Sequence, residues 1–383
     1  MRVQIYEAII RMEDYIFGLY VGVQVALNVI AILNMVSAPR LMVGDKLRNA
    51  PCGLGNDDAL ISVILPMRDE AKNVCGIMDD LLAQSYKNIE IIVVNDDSKD
   101  ATRNLLGQYS RFENVRIIDK QILAGGWLGK NHAIWTGLQQ AKGGVLLFLD
   151  ADVRMRPTAV AEALELMLRN KAQALTCFPR QIMKSGGEKL TIPLMTWSHI
   201  GFIPLAFINE SGQARNSLAN GQFIMCEKDA YVKAGGHELI RASVSDDIDL
   251  IRNFKKAGAK VLVCLGNELV VCRMYSSYKE ARIGFGRSLY RTIGDARIFL
   301  IYLALVISLF ILPFIFVFFD IKWLIIIGMI MLHRVITSII YRQNIFWNTL
   351  LHLPQMFVQI DLALYSLYLS KTNKAKWKGR IVS

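Results

Sequence analysis

The stretch Val145-Leu146-Leu147-Phe148-Leu149-Asp150-Ala151-Asp152 joins five apolar residues to two carboxylates that stand one residue apart. The apolar run predicts a buried strand, and side chains alternate along a strand, so Asp150 and Asp152 should project to the same side. Two hard oxygen ligands at a strand end suit a divalent cation that holds a diphosphate. Taken alone, the stretch is equally typical of an Asx turn that closes a strand.

Alternating strands and helices are predicted on the N-terminal side of this stretch. Strands are expected over 61–66, 89–94, 115–119 and 145–149, and helices over 70–84 and 100–109. Continuous apolar strands separated by helices indicate a parallel sheet covered on both faces, with ligands beyond the carboxyl ends of the strands. Polar clusters follow three of these strands, at Arg68-Asp69-Glu70, Asn95-Asp96-Asp97-Ser98 and Asp150-Ala151-Asp152. Three clusters that converge on one edge favour a binding site over a simple turn.

Long apolar segments flank this region. Of the 383 residues, 53% are hydrophobic, and the mean hydropathy is +0.32, which is too apolar for an ordinary soluble protein. Tyr15–Pro39 and Ile298–Phe319 carry no charged residue, and each could cross a hydrocarbon core of about 30 Å as a helix. Glu13 and Asp14 precede the first segment and no cleavage site follows it, so we predict an anchor rather than a signal peptide.

The other apolar segments are interrupted. Leu190–Ile208 holds Pro193 and Pro204, so we expect it to lie in the membrane interface rather than to span. Three apolar stretches close the chain, at Ile298–Phe319, Trp323–Tyr341 and Ile345–Leu369. A cytoplasmic catalytic part and a cytoplasmic tail require an even number of crossings between them. We therefore expect two full spans, with one stretch re-entrant or interfacial.

Basic residues cluster beside the apolar segments. The net charge is +11, with Arg40, Lys46 and Arg48 after the first segment and Lys371, Lys374, Lys376, Lys378 and Arg380 in the tail. This placement is typical of a cytoplasmic membrane face with anionic lipids, and nucleic acid is not expected as a partner because no basic stripe with interleaved aromatic residues is present. The six cysteines lack metal-ligand spacing and are predicted to be free thiols in a reducing compartment.

The ordered motifs of residues 60–290 resemble those of family-2 glycosyltransferases, which have the GT-A fold, an α/β fold with a Rossmann-like mixed sheet. The matching stretches are Ile64–Glu70, Val94–Asp100, Leu149–Asp152 and Ser245–Leu250. Further signals resemble the membrane-bound members of staphyloxanthin-type carotenoid synthesis: Gly126–Ala133, Gly235-Gly236-His237, Arg273-Met274-Tyr275, Gly284-Phe285 and Trp377-Lys378-Gly379-Arg380. The pair Asp246-Asp247 is closer to the general family pattern than to those members.

The resemblance implies a site for a UDP-sugar donor. Its residues here are Pro66, Arg68, Glu70, Asp96, Lys130, Asp150, Asn220 and Gly221. Asp96 would accept a hydrogen bond from the base, and Asp150 and Asp152 would hold Mg²⁺ or Mn²⁺ on the diphosphate. Lys130 would contact a phosphate, with a solvated lysine as the alternative. Asp69 contacts the ribose or caps a helix, and His237 is a metal ligand or a turn or core residue.

The resemblance also implies a catalytic base on the acceptor side. Asp247 is predicted to take the proton from the acceptor hydroxyl. Asp246 either caps the helix over 248–257 or exchanges roles with Asp247, and the alternative is that both residues only cap this helix. Direct displacement would invert the anomeric centre. The membrane side is assigned to Trp197, Arg273, Arg282, Phe285 and Arg287, whose arginines receive an anionic group or snorkel to the interface. Residues 281–287 lack the Gln-x-x-Arg-Trp motif of the family's processive synthases, which favours transfer of a single sugar.

These observations predict a multi-pass enzyme of the cell membrane with its catalytic domain facing the cytoplasm. The expected segments are an anchor (1–38), a linker (39–59), a GT-A domain (60–290, with nucleotide and acceptor halves 60–152 and 153–290), C-terminal membrane segments (291–370) and a basic tail (371–383). We expect transfer of glucose from UDP-glucose to a lipid-soluble acceptor such as a carotenoid acid. Alternative acceptors are a polyprenyl phosphate, a hopanoid or sterol, a ceramide or a diacylglycerol. Alternatives from other classes are a non-catalytic membrane scaffold and a transporter.

Overall fold

The computed structural model describes residues 2–42, 59–120, 122–372, 374, 376–378 and 380–381. The strands are β1 (Ile61–Met67), β2 (Ile89–Asp96), β3 (Val115–Lys120), β4 (Val145–Leu149), β5 (Val153–Met155), β6 (Ala174–Phe178), β7 (Arg180–Gln181), β8 (Phe223–Glu227), β9 (Val261–Leu265), β10 (Val270–Cys272), β11 (Lys376–Trp377) and β12 (Arg380–Ile381). The helices are α1 (Arg2–Ser37), α2 (Ala71–Leu82), α3 (Thr102–Gly107), α4 (Gly129–Leu138), α5 (Ala159–Arg169), α6 (Gly186–Ile200), α7 (Leu205–Glu210), α8 (Lys228–Lys233), α9 (Gly236–Leu239), α10 (Asp246–Lys256), α11 (Tyr278–Ile293), α12 (Ala296–Phe310), α13 (Pro313–Phe316), α14 (Trp323–Ile340), α15 (Ile345–Leu350) and α16 (His352–Thr372).

The chain divides into two compact units. The α/β unit consists of Pro39–Ile182, Ala206–Met274 and Lys374–Ser383, and the helical unit of Met1–Ala38, Met183–Leu205 and Tyr275–Asn373. The predicted acceptor half, 153–290, is therefore shared between them. The physical reason is that α6 and α11 bury their apolar faces against each other and against α16, within the helical unit.

A seven-stranded sheet in the order β3-β2-β1-β4-β8-β6-β9 forms the centre of the α/β unit. β1 pairs in parallel with β2 and β4, whereas β8 runs antiparallel to β4 and β6. The predicted α/β fold with a Rossmann-like mixed sheet is confirmed. The parallel register brings the carboxyl ends of β1, β2 and β4 to one edge, where all three predicted polar clusters lie.

Both faces of this sheet are buried, which explains the continuous apolar runs of its strands. In β1, Ile61, Val63 and Leu65 join the hydrophobic cluster that contains α2 and α5. Ile64 joins the opposite cluster, which contains α4 and α10. Helix α2 buries Val74, Ile77, Met78 and Leu81, the i, i+3, i+4, i+7 stripe of an amphipathic helix.

The ends of the α/β unit are tied to it by backbone pairing. Leu41 N–H donates to Leu265 O at 2.9 Å, and Leu265 N–H donates to Pro39 O at 2.9 Å, which extends the sheet beside β9. Residues 43–58 of the predicted linker lie outside the described residues. In the predicted basic tail, β11 and β12 form an antiparallel hairpin with Trp377 paired to Arg380.

The helical unit contains three helices long and apolar enough to cross a membrane, within the part of the chain that the structure describes. They are Met12–Ser37, Ala296–Phe316 and Trp323–Ile340. Polar side chains of α1 tie the unit together: Tyr20 Oη and Ser308 Oγ are 2.6 Å apart, and Asn28 Nδ2 donates to Met329 O at 3.1 Å. Two of the three C-terminal apolar stretches thus yield candidate spans, and α16 does not.

The segment predicted to lie at the membrane interface forms α6 and the start of α7. α6 begins with a capping box in which Ser185 and Glu188 satisfy each other's backbone N–H groups. It keeps Pro193 inside the helix and is not among the candidate spans. Its interfacial position stays a prediction.

Candidate active site

A pocket opens at the edge of the sheet where β4 ends. Its lining combines three carboxylates and one lysine with apolar side chains from β4, β8, α4 and α10. The lining residues are Lys130, Ile134, Phe148, Leu149, Asp150, Gly221, Ile224, His237, Asp246, Asp247 and Leu250. Six of the predicted site residues therefore share one cavity within the α/β unit.

Lys130, in the first turn of α4, connects the two acidic pairs of this pocket. Its Nζ lies 2.8 Å from Asp150 Oδ1 and 3.7 Å from Asp246 Oδ2. Burial alone would lower the pKa of Lys130, but the carboxylates of Asp150 and Asp246 raise it above its ordinary value. The lysine is therefore a permanent cation between the strand end and the start of α10.

Asp247 is held rigidly at the start of α10. Its Oδ2 accepts a hydrogen bond from Gly221 N–H at 3.0 Å, and its Oδ1 accepts one from Ile248 N–H at 2.8 Å. A Cβ atom at Gly221 would lie 3.2 Å from Asp247 Cβ, so glycine permits this close approach. Burial, together with the neighbouring charge of Asp246, raises the pKa of Asp247 to about 7. Such a carboxyl group can exchange a proton near neutral pH.

Asn131 positions the loop that leads into α10, a role that the sequence did not reveal. Its buried Nδ2 donates to Ile240 O at 2.9 Å and to Ser243 O at 3.0 Å. Ser245 precedes α10 at the N-cap position without a side-chain cap, so Asp246 is the first helical residue rather than the cap. Two adjacent residues of α4 thus have different roles. Lys130 contacts the carboxylates directly, and Asn131 holds the backbone of the loop that precedes α10.

Asp150 and Asp152 have the donor set that a divalent cation requires. Asp152 Oδ1 is shielded from solvent and has no hydrogen-bond partner among the described residues. Burial and the charges of Asp150 and Glu70 raise the pKa of Asp152 to about 7. No group of three or more His, Cys, Asp or Glu side chains that could hold a metal ion occurs among the described residues. Two carboxylates are a donor set that Mg²⁺ completes with substrate phosphates.

The predicted base-binding residue, Asp96, is already paired in this structure. At the end of β2 its Oδ1 lies 2.6 Å from Lys120 Nζ, and both side chains are almost fully buried. Arg68 Nη1 donates to Asp96 O at 2.6 Å. Lys120 was missed in the sequence, although a basic residue at the end of an apolar strand was a usable signal. The three residues form a charged group at the ends of β1, β2 and β3.

The loops after β1 and β2 are joined by hydrogen bonds from Asp69. Its Oδ1 accepts from Lys99 N–H at 2.6 Å, and its own N–H donates to Ser98 Oγ at 3.0 Å. Asp69 has φ of 49°, in the left-handed region that non-glycine residues rarely adopt. The N-cap of α2 is Glu70, so the expectation that Asp69 caps this helix is wrong. Its carboxylate instead stabilises the neighbouring loop.

His237 is almost fully buried behind the pocket. Its Nδ1 lies 2.8 Å from Tyr231 Oη, which also accepts from His237 N–H at 2.7 Å. Burial, reinforced by Lys130, lowers the pKa of His237 to about 3, so the ring is neutral. This environment supports the core-residue interpretation, because one ring nitrogen is engaged by tyrosine.

Most residues predicted for the membrane side belong to the helical unit. Trp197 is buried there, with Nε1 donating to His333 Nδ1 at 2.9 Å. Arg282 binds Asp361 through two hydrogen bonds of 2.7 and 2.8 Å. Phe285 packs edge-to-face on Tyr275, and Arg287 is half-buried on α11. Arg273 is exposed at the end of the α/β unit. Trp197 and Arg282 therefore have structural partners within the helical unit.

This sheet, with its acidic pocket at the carboxyl edge, has the architecture of a GT-A domain. Residues 62–225 match the family model described as "Glycosyl transferase family 2". This part of the chain is therefore a family-2 glycosyltransferase domain.

The similar proteins include two curated relatives and one solved structure. The 4,4'-diaponeurosporenoate glycosyltransferase of Staphylococcus haemolyticus (strain JCSC1435) is 26% identical over 226 residues, which are 58% of this chain and 59% of the relative. The protein of the same name from Staphylococcus aureus (strain MRSA252) is 25% identical over 240 residues, 62% of each chain. The matched regions thus span about three-fifths of these relatives. A mannosyltransferase from Pyrobaculum calidifontis in complex with GDP-Man and Mn²⁺ has a TM-score of 0.51 at 16% identity, with 74% of each chain covered, which shows a shared fold.

Proposed function

We propose that the chain is a metal-dependent, inverting glycosyltransferase that moves one sugar, glucose from UDP-glucose, to a lipid-soluble acceptor at the cytoplasmic face of the membrane. The observation that carries this proposal is the placement of Asp247 in the same pocket as Asp150, with Lys130 between the two acidic pairs. A donor site and a base must lie this close for direct displacement.

The chemistry follows from these positions. With a hydroxyl acceptor, Asp247 accepts the proton while the acceptor oxygen forms a bond to the anomeric carbon. The carboxylate of a carotenoid acid is already ionised and forms the same bond without giving up a proton. The bond from that carbon to the diphosphate oxygen breaks, and the nucleoside diphosphate leaves with the electron pair. Lys130 is a fixed positive charge for the leaving diphosphate. Attack opposite to the leaving group inverts the anomeric centre.

Asp150 and Asp152 are the residues that would hold the metal. When bound, Mg²⁺ or Mn²⁺ supplies Lewis-acid stabilisation of the diphosphate. The unpartnered Oδ1 of Asp152 supports this assignment, as does the presence of Mn²⁺ with GDP-Man in a structure of the same fold. Arg68, Glu70, Asp96 and Lys120 are proposed to surround the nucleoside, and Asn220 and Gly221 the sugar.

The chain's apolar helices support a membrane-bound acceptor. Three candidate spans suit an enzyme that meets a lipid-soluble substrate at the bilayer. Lys378 contacts Glu70 within one unit, so the intervening segment must begin and end on the same side of the membrane. Two spans, Ala296–Phe316 and Trp323–Ile340, satisfy this requirement.

A carotenoid acid is the proposed acceptor, because the curated relatives are named for diaponeurosporenoate. A polyprenyl phosphate, a hopanoid or sterol, a ceramide and a diacylglycerol are the competing acceptors. A non-catalytic scaffold is the alternative from another class, and the intact acidic pocket argues against it.

Two measurements test the proposal. Purified protein with UDP-glucose and Mn²⁺ should release UDP in the presence of membrane lipids, and mass spectrometry of lipids from cells with and without the protein should reveal one hexose added to one lipid species. A protein that turns over no nucleotide sugar would be a scaffold. Addition of several hexoses would contradict single-sugar transfer.

The rate should depend on pH through Asp247. Because its pKa is raised to about 7, the carboxylate needed as a base is lost as pH falls below that value. With a hydroxyl acceptor, kcat/KM should fall about tenfold for each pH unit below 7 and level off above it. Values of kcat/KM measured from pH 5 to 9 test for this fall. A flat profile over that range would contradict the assignment of Asp247 as base.

Lys130→Met should weaken donor binding. The substitution keeps a side chain of similar length but removes the charge between Asp150 and Asp246, so the acidic pocket would repel the diphosphate. We expect KM for the donor to rise on the order of tenfold to a hundredfold. Initial rates at varied UDP-glucose measure it, with Lys233→Met, an exposed lysine at the end of α8, as the matched control. Equal KM values for the two variants would remove Lys130 from the donor site.

A further inference from the structure

The C-terminal hairpin reaches the loop that follows β1. Lys378 Nζ donates to Arg68 O and forms an ion pair with Glu70 Oε1. It lies 3.4 Å from Asp69 O, and Arg68 Nε donates back to Lys378 O at 3.3 Å. These contacts join residues about three hundred positions apart in sequence. The hairpin therefore binds three consecutive residues of the loop after β1, and two of them, Arg68 and Glu70, belong to the predicted donor site.

The conformation of Lys378 indicates that these contacts are specific. It has φ of 43° between the paired residues Trp377 and Arg380. Residues other than glycine rarely adopt the left-handed region, so this backbone conformation is unfavourable for a lysine. The docked side chain offsets this cost, because it points at the loop after β1 rather than into solvent.

Lys378 has an electrostatic role because it lies beside acidic side chains. Glu70 places a negative charge on the loop after β1, and Lys378 forms an ion pair with it. On the same two loops, Asp69 and Asp97 are paired with Arg68, and Asp97 also with Lys99. A nucleoside diphosphate brings more negative charge to this edge of the sheet. The pairing of Glu70 with Lys378 lowers the repulsion that a diphosphate would meet here.

We propose that Lys378 is a positioning residue of the donor site, which neutralises Glu70 and holds the loop of residues 68–70 in its donor-binding conformation. This inference rests on the proposed function, since it takes the ligand to be a nucleoside diphosphate sugar. The tail is thus a structural part of the nucleotide site. Lys371, which is exposed at the end of α16, keeps the membrane-facing role expected of a basic tail.

The test uses the full-length protein in lipid nanodiscs and measures UDP affinity by calorimetry with Mn²⁺, together with KM and kcat for UDP-glucose hydrolysis. The variants are Lys378→Met, Lys378→Arg, Glu70→Gln and the double variant Glu70→Gln/Lys378→Met, with Lys371→Met as the matched control. Melting temperatures establish that each variant is folded.

Lys378→Met should raise the Kd for UDP and KM for the donor about tenfold while kcat changes less than about twofold, because one charge-assisted contact is lost. Lys378→Arg should restore Kd to within about threefold of wild type. In the Glu70→Gln background the lysine substitution should have less than about half its effect on log Kd, because the charge it neutralises is absent. Lys371→Met should bind UDP like the wild type.

Wild-type affinity for UDP in folded Lys378→Met would overturn this inference and leave the proposed function intact. Equal loss in Lys378→Met and Lys371→Met, accompanied by weaker binding to phosphatidylserine vesicles, would assign Lys378 to the lipid surface and also overturn it. Failure of the wild-type protein to bind UDP would instead overturn the proposed function, and this inference with it.

Discussion

Replacing Asp247 with asparagine should lower kcat with a hydroxyl acceptor by about 10²- to 10⁴-fold, because the amide cannot take the acceptor's proton. Asparagine keeps the shape of the side chain, and its Oδ1 can still accept one of the bonds donated by Gly221 and Ile248. The pocket should therefore keep its structure. Single-turnover rates at saturating donor measure the chemical step, and calorimetry should give a Kd for UDP within about threefold of wild type.

The matched control is Asp229→Asn, which changes an exposed aspartate of the same unit in α8 and should leave the rate unchanged. Asp246→Asn separates the roles of the acidic pair. Asp246 lies 3.7 Å from Lys130, so its loss should affect the donor's KM more than kcat. A larger fall of kcat in Asp246→Asn than in Asp247→Asn would exchange the two assignments.

The same variant also reports the class of acceptor. A hydroxyl group must lose a proton during attack, whereas the carboxylate of a carotenoid acid is already ionised near neutral pH. Asp247→Asn should therefore slow transfer to hydroxyl acceptors and hydrolysis by water by about 10²- to 10⁴-fold, yet reduce transfer to a carboxylate far less. Loss of equal size with both acceptor classes would mean that Asp247 binds or orients the acceptor instead of acting as its base.

The sequence was sufficient for the nucleotide half of the α/β unit because its central strands β1, β2 and β4 are buried on both faces. Apolar runs such as Ile89–Val94 and Val145–Leu149 can only be central strands of a covered sheet. The carboxyl ends of such strands then carry their polar residues to one edge. The seven-stranded mixed sheet confirms this interpretation, and β8, which runs antiparallel, explains how Asn220 and Gly221 reach the same edge from a distant segment.

The ion pairs of the site could not be predicted because each depends on contacts that a local pattern does not contain. Lys120 meets Asp96 through the register of β2 and β3, and a single basic residue at a strand end is usually solvated. Lys378 meets Glu70 across almost the whole chain. Apolar periodicity likewise does not distinguish a membrane interface from a protein core. Trp197, expected to face the membrane, is buried in the core of the helical unit.

Asp152→Asn should abolish metal-dependent donor binding, and it should raise thermal stability at the same time. The wild-type carboxyl is shielded from solvent beside Asp150 and Glu70, and its Oδ1 has no partner among the described residues. A neutral amide relieves the repulsion of these like charges, so the metal-free variant should melt at a higher temperature than the metal-free wild type. The opposite shifts in stability and affinity distinguish a lost ligand from a damaged fold.

For the wild type, Mn²⁺ should lower the Kd for UDP by a factor on the order of a hundred, and chelation should reverse the gain. In Asp152→Asn the Kd should be the same with and without Mn²⁺, while Asp229→Asn should respond like the wild type. The Asp152 carboxylate lowers the stability of the metal-free protein, and this loss is compensated only if a cation neutralises the carboxylate during the reaction. If Asp152→Asn kept the full Mn²⁺ response, the Asp150/Asp152 pair at the end of β4 would be the strand-closing turn that its sequence equally resembles. The diphosphate would then have to be neutralised by Lys130, Lys120 and Arg68.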